Sequence, residues 1–240
     1  MKKLLLVAFA FISANTFAQK WETIQGNGQV KTETRQVSDF TSLSLRGSMN
    51  VDVSYGGSNS LTVEADENLL PYIETSVEDG KLTIKPKKNV NLKSKSKIIV
   101  HVSMIKINSM QLSGSGNING SGAFTNDSKT DISVSGSGNL NLSFDTFKAL
   151  GLTVSGSGNI ELKGNATDNI TAQVSGSGNI DCSGLQSNDA DVRVSGSGNV
   201  KVYAQNSIDA SISGSGNVFY KGNAQKINRR VAGSGKVVKM

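Results

Sequence analysis

Apolar and polar residues alternate along most of the chain. In "TVSGSGNIEL", residues 153–162, Val154, Ile160 and Leu162 share one parity with the two glycines, and the serines, the asparagine and Glu161 take the other. A period of two is typical of a β-strand with one buried face. The C-terminal half shows no helical period. The pattern therefore predicts short strands on both sides of each Gly-Ser-Gly-Asn motif.

This motif recurs along the chain at a nearly constant spacing. Its first glycines are Gly114, Gly136, Gly156, Gly176, Gly196, Gly214 and Gly233, so the gaps are 22, 20, 20, 20, 18 and 19 residues. The last copy has Lys236 in place of asparagine, and "RGSMNVDV" around Gly47 is a more distant copy. Self-similarity at a fixed period indicates a repeat architecture.

A repeat of about 20 residues with two short strands fits one coil of a parallel β-helix. At roughly 3.3 Å per residue, the perimeter of such a coil is at most about 66 Å. An antiparallel meander is the main alternative, because 20 residues could also form a hairpin. The identical register of the copies favours stacking. We predict an all-β fold, a right-handed parallel β-helix (solenoid) of ~20-residue coils, in which each coil depends on its neighbours for stability.

The motif itself is interpreted as a corner of the coil. Both glycines have the inward parity, so a side chain there would collide with the packed interior, and glycine also tolerates a positive φ. The asparagines have the outward parity, and stacking would place them about 4.8 Å apart with amides that can hydrogen-bond along the stack. They form the candidate surface binding ladder: Asn117, Asn139, Asn159, Asn179, Asn199 and Asn217.

The first half of the mature chain is different. Residues 19–110 are rich in alternating runs but lack a clean repeat, and Asp79-Gly80 lies between two such runs as a strong hairpin signal. We expect this region to cap or continue the solenoid of residues 111–240. Together they would form one continuous domain over about residues 26–240.

Residues 1–18 have the pattern of a secretory signal peptide. Lys2 and Lys3 precede an apolar run, and small residues end at Ala18. We therefore expect export to the periplasm, the outer surface or the medium, with no transmembrane segment in the mature chain. The formal net charge is +6, or +4 once Lys2 and Lys3 are removed. This mild charge, with few aromatic residues among the basic ones, argues against a nucleic-acid partner.

Candidate chemistry is sparse. Cys182 takes a position that leucine or valine holds in other copies, and His101 lies on the polar side of a predicted strand. One cysteine and one histidine do not make a transition-metal site or a catalytic pair. The neutral asparagines are poor calcium ligands. We therefore expect no cofactor and no enzymatic activity.

A lysine-rich stretch remains, "GKLTIKPKKNVNLKSKSK", with seven lysines in residues 80–97. Lysine on a strand edge discourages aggregation. The same residues could instead attract an anionic cell-surface polysaccharide or lipid.

The stretches "DFTSLSLRGSMNVDV" and "LTVEADENLLPYIETSVEDGKLTI", together with the "SGSGNI" repeats, resemble the auto-transporter adhesin head family called the GIN domain. That family is common in secreted proteins of the Bacteroidetes. The resemblance implies an all-β solenoid outside the cytoplasm and brings no catalytic motif.

The sequence thus favours a non-enzymatic secreted or cell-surface module, adhesin-like, that presents its serine and asparagine ladders to an extracellular glycan or a surface protein. One alternative is a polysaccharide-active β-helix enzyme, although the acidic residues occupy no consistent position in the repeat. Another is a purely structural envelope protein. The oligomeric state stays open.

Overall fold

The computed structural model describes residues 21–240, so the predicted signal peptide lies outside the described residues. The described part is almost entirely β-structure with one short 3-10 helix, Glu67–Tyr72. The strands before the repeats are β1 Glu22–Gln25, β2 Val30–Arg35, β3 Ser42–Gly47, β4 Asn50–Tyr55, β5 Ser60–Asp66, β6 Ile73–Glu78, β7 Lys81–Pro86, β8 Val90–Lys93 and β9 Ile99–Met104.

The repeats contribute strands in alternation to two faces. They are β10 Ser109–Gly114, β11 Asn117–Ser121, β12 Thr125–Gly136, β13 Asn139–Ser143, β14 Thr146–Gly156, β15 Asn159–Lys163, β16 Ala166–Gly176, β17 Asn179–Asp181, β18 Gln186–Gly196, β19 Asn199–Tyr203, β20 Ser207–Gly214, β21 Asn217–Lys221, β22 Lys226–Gly233 and β23 Lys236–Lys239. In each repeat the first strand ends at the first glycine of the motif, and the second strand begins at its asparagine, or at Lys236 in the last copy.

Two large sheets hold all of these strands except β1 and β8, which form a separate two-stranded sheet. The ten-stranded sheet has the order β22-β20-β18-β16-β14-β12-β10-β3-β7-β6, and the eleven-stranded sheet has the order β2-β5-β9-β4-β11-β13-β15-β17-β19-β21-β23. Each repeat strand pairs in parallel with its equivalent one turn away, as β14 does with β12 and β16. The predicted parallel β-solenoid is therefore confirmed.

Equivalent residues of the copies face each other across the turns. Val154 pairs with Val134 and Val174, and Asn159 pairs with Asn139 and Asn179. The inward residues form one continuous apolar core along the solenoid, and Cys182 belongs to it, fully buried. Because the side-chain period is two, this shared register keeps equivalent aliphatic residues on the inner face. In the last turn the equivalent Val231 is 44% exposed.

The two glycines of the motif serve different packing needs. A Cβ on Gly158 would lie 2.6 Å from Val134 Cγ1 in the interior and 2.3 Å from the Gly138 carbonyl oxygen. A Cβ on Gly156 would instead lie 2.5 Å from the Gly136 carbonyl oxygen, and Gly156 has a φ of +115°. The sequence predicts that a side chain at either glycine would collide with the packed interior. This prediction is right for the second glycine. It is wrong for the first, because a Cβ there would instead meet the backbone of the preceding turn.

The N-terminal strands both continue and close the solenoid. β3 and β4 form its first turn, with Gly47 in register with Gly114. β7 and β9 stack beside that turn in parallel, and the antiparallel strands β6, β5 and β2 finish the two sheets. The predicted hairpin turn joins β6 to β7, with φ values of 49° at Asp79 and 68° at Gly80.

Candidate binding surface

The asparagine ladder is a continuous column of hydrogen bonds at one corner of the solenoid. Asn139 Nδ2 donates to Asn117 Oδ1 at 3.0 Å, and Asn159 Nδ2 donates to Asn139 Oδ1 at 2.8 Å. The same bond repeats through Asn179, Asn199 and Asn217 at 2.9, 3.1 and 3.0 Å. The predicted amide bonding along the stack is therefore confirmed.

The ladder extends beyond the predicted copies at both ends. Asn117 Nδ2 donates to Asn50 Oδ1 at 2.8 Å, so the distant copy in the first turn is its first member. At the other end the backbone N–H of Lys236 donates to Asn217 Oδ1 at 3.2 Å. Most of these amides are half-buried, and much of their bonding capacity is used within the column. The ladder stabilises the stack, and a role in binding stays a prediction.

Serine hydroxyls form two further columns on either side of the first glycine of each motif. The outer serine column is Ser113, Ser135, Ser155, Ser175, Ser195 and Ser213, and the inner serine column is Ser115, Ser137, Ser157, Ser177, Ser197, Ser215 and Ser234. All of these residues are exposed. Within the described residues 21–240 their hydroxyls make no hydrogen bond to the protein, so they are available to a ligand.

The corner that presents these serines is held by its backbone. The Gly136 carbonyl oxygen accepts hydrogen bonds from the N–H groups of Ser157 and Gly158, each at 2.9 Å. The Gly114 carbonyl accepts in the same way from Ser137 and Gly138, each at 3.0 Å. Neighbouring strands of a sheet lie about 4.8 Å apart, so the columns present hydroxyls at a fixed repeat along the solenoid.

The serine columns lead into a cleft at the N-terminal end. In the first turn Arg46 is in register with Ser113, so an arginine takes the next place in the outer column, and Ser48 takes the equivalent place in the inner one. These residues and Ser113 line a cleft of about 570 Å³. Its other walls include Trp21 and the loop after β7.

The cleft combines an apolar floor with a basic rim. Its ionisable lining residues within the described part of the chain are Arg46, Lys85, Lys87 and Lys88, with no carboxylate among them. Lys85 forms an exposed ion pair with Glu74 at 3.5 Å, whereas Arg46 and Lys88 form none with any described residue. The rim therefore has positive charge that is not neutralised nearby.

Trp21 is the residue that sequence reasoning missed. It precedes β1, which pairs in parallel with β8, and the Glu22 N–H donates to the Asn89 carbonyl at 2.8 Å. This pairing holds the indole beside the lysine-rich loop, where 63% of Trp21 is exposed. The chain contains one tryptophan, outside every repeat, and this was the only available signal in the sequence.

The remaining chemical candidates keep the roles that the sequence indicated. His101 is exposed, with Nδ1 4.0 Å from an Asp52 carboxylate oxygen. Burial raises the pKa of Cys182 to about 12, so its thiol is neutral at physiological pH. Among residues 21–240 no three His, Cys, Asp or Glu side chains cluster in a way that could hold a metal ion.

A second cleft, of about 580 Å³, lies on a different corner and includes Asp127, Asp168 and Lys148. The alternative of a polysaccharide-active enzyme, which the sequence leaves open, would have to be tested at this second cleft.

Among the described residues, the structure contains no helix with the length and apolar character that a membrane span requires.

Comparison with known families identifies the chain. The profile of the family described as "Putative auto-transporter adhesin, head GIN domain" matches residues 39–224, and the chain belongs to this family. The resemblance noted in the sequence is thereby confirmed. None of the curated proteins is similar enough to count as a match.

Solved structures of similar proteins have the same fold. A crystal structure of a "putative adhesin" from Bacteroides fragilis has a TM-score of 0.82 at 22% identity, covering 90% of this chain and 100% of that one. A "putative lipid binding protein" from Parabacteroides distasonis has a TM-score of 0.76 at 27% identity, covering 91% and 100%. A "putative adhesin" from Parabacteroides merdae has a TM-score of 0.69 at 24% identity, covering 91% and 99%.

Proposed function

We propose that this protein is an exported, non-catalytic binding module that holds an extracellular glycan or a surface protein along its serine-bearing corner. The observation that carries the proposal is the pair of exposed serine columns, whose hydroxyls have no partner in the described chain. Beside them, the asparagine ladder fixes the turns at constant spacing. The family, described as that of an adhesin head, fits such a role.

Recognition along this corner would be cooperative over several turns. A single hydroxyl contributes little net binding energy, about 0.5–1.5 kcal/mol at most, because it exchanges a bond to water for a bond to the ligand. A rigid column of them presents many such bonds without further ordering cost, which is the usual advantage of a preorganised surface. An extended ligand with regularly repeated polar groups therefore fits better than a small molecule.

The direct test is binding of the purified protein to arrays of extracellular glycans and surface proteins. We expect a specific ligand whose affinity falls in the variant Ser135→Ala/Ser155→Ala. The matched control is Ser121→Ala/Ser143→Ala, which removes two exposed serines from the far ends of β11 and β13. Absence of any binding, or equal loss in both variants, would contradict the proposal.

Two further measurements address export and catalysis. Protease treatment of intact cells should degrade the protein if it is surface-exposed. Sugar release from polysaccharide by the purified protein would overturn the non-catalytic assignment, and its dependence on Asp127 and Asp168 would then place the activity in the second cleft.

The test ligands should also include anionic phospholipid vesicles, because one of the similar solved structures is described as that of a "putative lipid binding protein".

A further inference from the structure

We propose that the cleft beside Trp21 recognises the acidic groups of a linear acidic saccharide, whose chain continues from there along the serine columns. This inference rests on the proposed function and names the ligand class for the same corner of the solenoid. It is carried by three observations on the described residues: the position of the cleft, its charge, and the exposure of its single aromatic side chain.

The position of the cleft makes it the end of the polar corner rather than a separate pocket. Arg46 pairs in register with Ser113, and Ser113 pairs with Ser135. The cleft is lined by Arg46 and Ser113 as well as by Ser48. A chain lying along the serine columns therefore reaches the basic rim without a change of direction.

The charge of the cleft selects an anion. Arg46 and Lys88 are exposed and without an ion pair in the described part of the chain, and Lys87 lies over the Tyr72 ring with its Nζ 5.5 Å from the ring centre. Arginine presents paired N–H donors that match the two oxygens of a carboxylate or sulfate. Beyond the cleft the serines are neutral, so the ligand needs acidic groups at this end and hydroxyls along its length.

The apolar part of the cleft favours a sugar ring over an acyl chain. Val90 and Met49 are buried and present little surface, whereas Trp21 is 63% exposed and Pro86 is half-buried. An amphipathic ring such as the indole combines apolar contact with tolerance of water, which suits a sugar face. An acyl chain would need an enclosed apolar channel, and this cleft opens onto a hydroxyl-lined surface.

Calorimetric titration of the exported chain tests the inference. The probes are oligogalacturonate, a neutral malto-oligosaccharide of similar length, and vesicles of anionic phospholipid. We expect binding of oligogalacturonate, at least tenfold weaker binding of the neutral sugar, and a marked fall in affinity as salt is raised from low to physiological concentration. Trp21→Ala should weaken oligogalacturonate binding about tenfold or more.

The decisive comparison is between two variants that lose the same charge. Arg46→Gln/Lys88→Gln removes two cations of the cleft that form no ion pair with a described residue, whereas Lys93→Gln/Lys97→Gln removes two exposed lysines of the same basic stretch that do not line it. We expect at least a tenfold loss for the first and less than a twofold change for the second. Equal losses would show general charge attraction and overturn the site.

The outcomes also separate this inference from the broader function. If a glycan or protein binds and depends on Ser135 and Ser155 but not on Trp21 or Arg46, the proposed function stands and the acidic-saccharide site falls. Binding of anionic vesicles without binding of oligogalacturonate would likewise overturn the site. Circular dichroism and thermal melting of each variant exclude loss of folding as the cause.

Discussion

A methyl group on Gly156 would lie 2.5 Å from the carbonyl oxygen of Gly136 in the preceding turn. That oxygen is already the acceptor for two backbone N–H groups, so it cannot move away without breaking both bonds. A side chain in this glycine column would therefore push neighbouring turns apart, so the spacing of the solenoid depends on it.

Gly156→Ala should consequently destabilise the protein. The positive φ alone costs about 1–3 kcal/mol for a residue with a side chain, and the contact with the neighbouring backbone adds to this. Urea unfolding followed by circular dichroism measures the change. Gly184→Ala is the control, because a Cβ there has open space and no positive φ is required; its effect should stay within about 0.5 kcal/mol. Similar losses in both would refute this account of the corner.

Asn159 tests the asparagine ladder. Its amide donates to Asn139 and accepts from Asn179, so Asn159→Ala removes two bonds and leaves the half-buried Asn139 Oδ1 and the exposed Asn179 Nδ2 without these partners. We expect a loss of about 1–3 kcal/mol in the free energy of unfolding. Asn141→Ala removes one exposed bond, to Asn119 at 3.1 Å, and should cost clearly less. The ladder would have no special structural role if the two substitutions cost the same.

Ser155→Ala tests whether the serine columns serve ligand binding rather than the stability of the fold. Because the hydroxyl has no partner in the described chain, its removal should change the free energy of unfolding by less than about 0.5 kcal/mol. Chemical denaturation alongside Asn159→Ala gives the comparison directly. A serine variant as unstable as the asparagine variant would mean that the columns are part of the scaffold, and the binding interpretation of the serines would lose its basis.

Asp66 should make stability depend on pH. Burial raises the pKa of this carboxyl, but hydrogen bonds from the Lys95 N–H and the Ser94 and Ser96 side chains outweigh it and hold the pKa below its ordinary value of 3.8. The group therefore contributes stability above that ordinary value, and the contribution is lost as pH falls through the lower folded-state pKa.

Unfolding curves of wild type and Asp66→Asn, taken from pH 7 down to pH 2.5, measure this. The stability difference between them should be constant near neutrality and narrow below pH about 4. Asp79→Asn, in the exposed hairpin turn, is the control for the loss of one carboxylate. Should the difference between wild type and Asp66→Asn stay unchanged down to the lowest pH, the buried hydrogen bonds would not be the source of its stability.

Cys182 should be inert in the folded protein. Burial raises the pKa of the Cys182 thiol to about 12, so at pH 7.5 the fraction present as thiolate is roughly a thousandfold lower than in an ordinary cysteine. The side chain is also fully buried, so a reagent in solution cannot reach the sulfur. Alkylation by iodoacetamide should be very slow in the native state and rapid in urea. Cys182→Val should fold normally, because Val202 holds the equivalent position one turn later. Rapid native labelling would indicate that this turn opens.

Much of the repeat region was predictable from the sequence because its physics is local and repeated. Alternation placed Val154 and Ile160 inside, and the common register of the motif copies put Asn139 over Asn117. The interpretation of the glycines was only half right. Parity along one strand shows which way a residue faces, but it does not show how closely the next turn approaches, and that approach determines the environment of Gly156.

The cleft could not be found in this way. Trp21 and Arg46 are 25 residues apart, and the loop of Lys87 and Lys88 comes a further 41 residues on. Nothing periodic connects them. They meet because β1 pairs with β8 and because β7 lies against β3, two pairings between strands distant in sequence.

The sequence by itself determined the solenoid, its buried face and its asparagine ladder, since a period of two combined with a period of about 20 leaves few ways to bury the aliphatic residues. Only the tertiary structure decided how the N-terminal strands are arranged. After the first turn the chain runs to the far side of β3 and β4, builds β7 and β9 there, and returns to begin β10 on the opposite side. The physical reason is that long-range strand pairing depends on which edges are free in three dimensions, and local patterns of polarity contain no information about that.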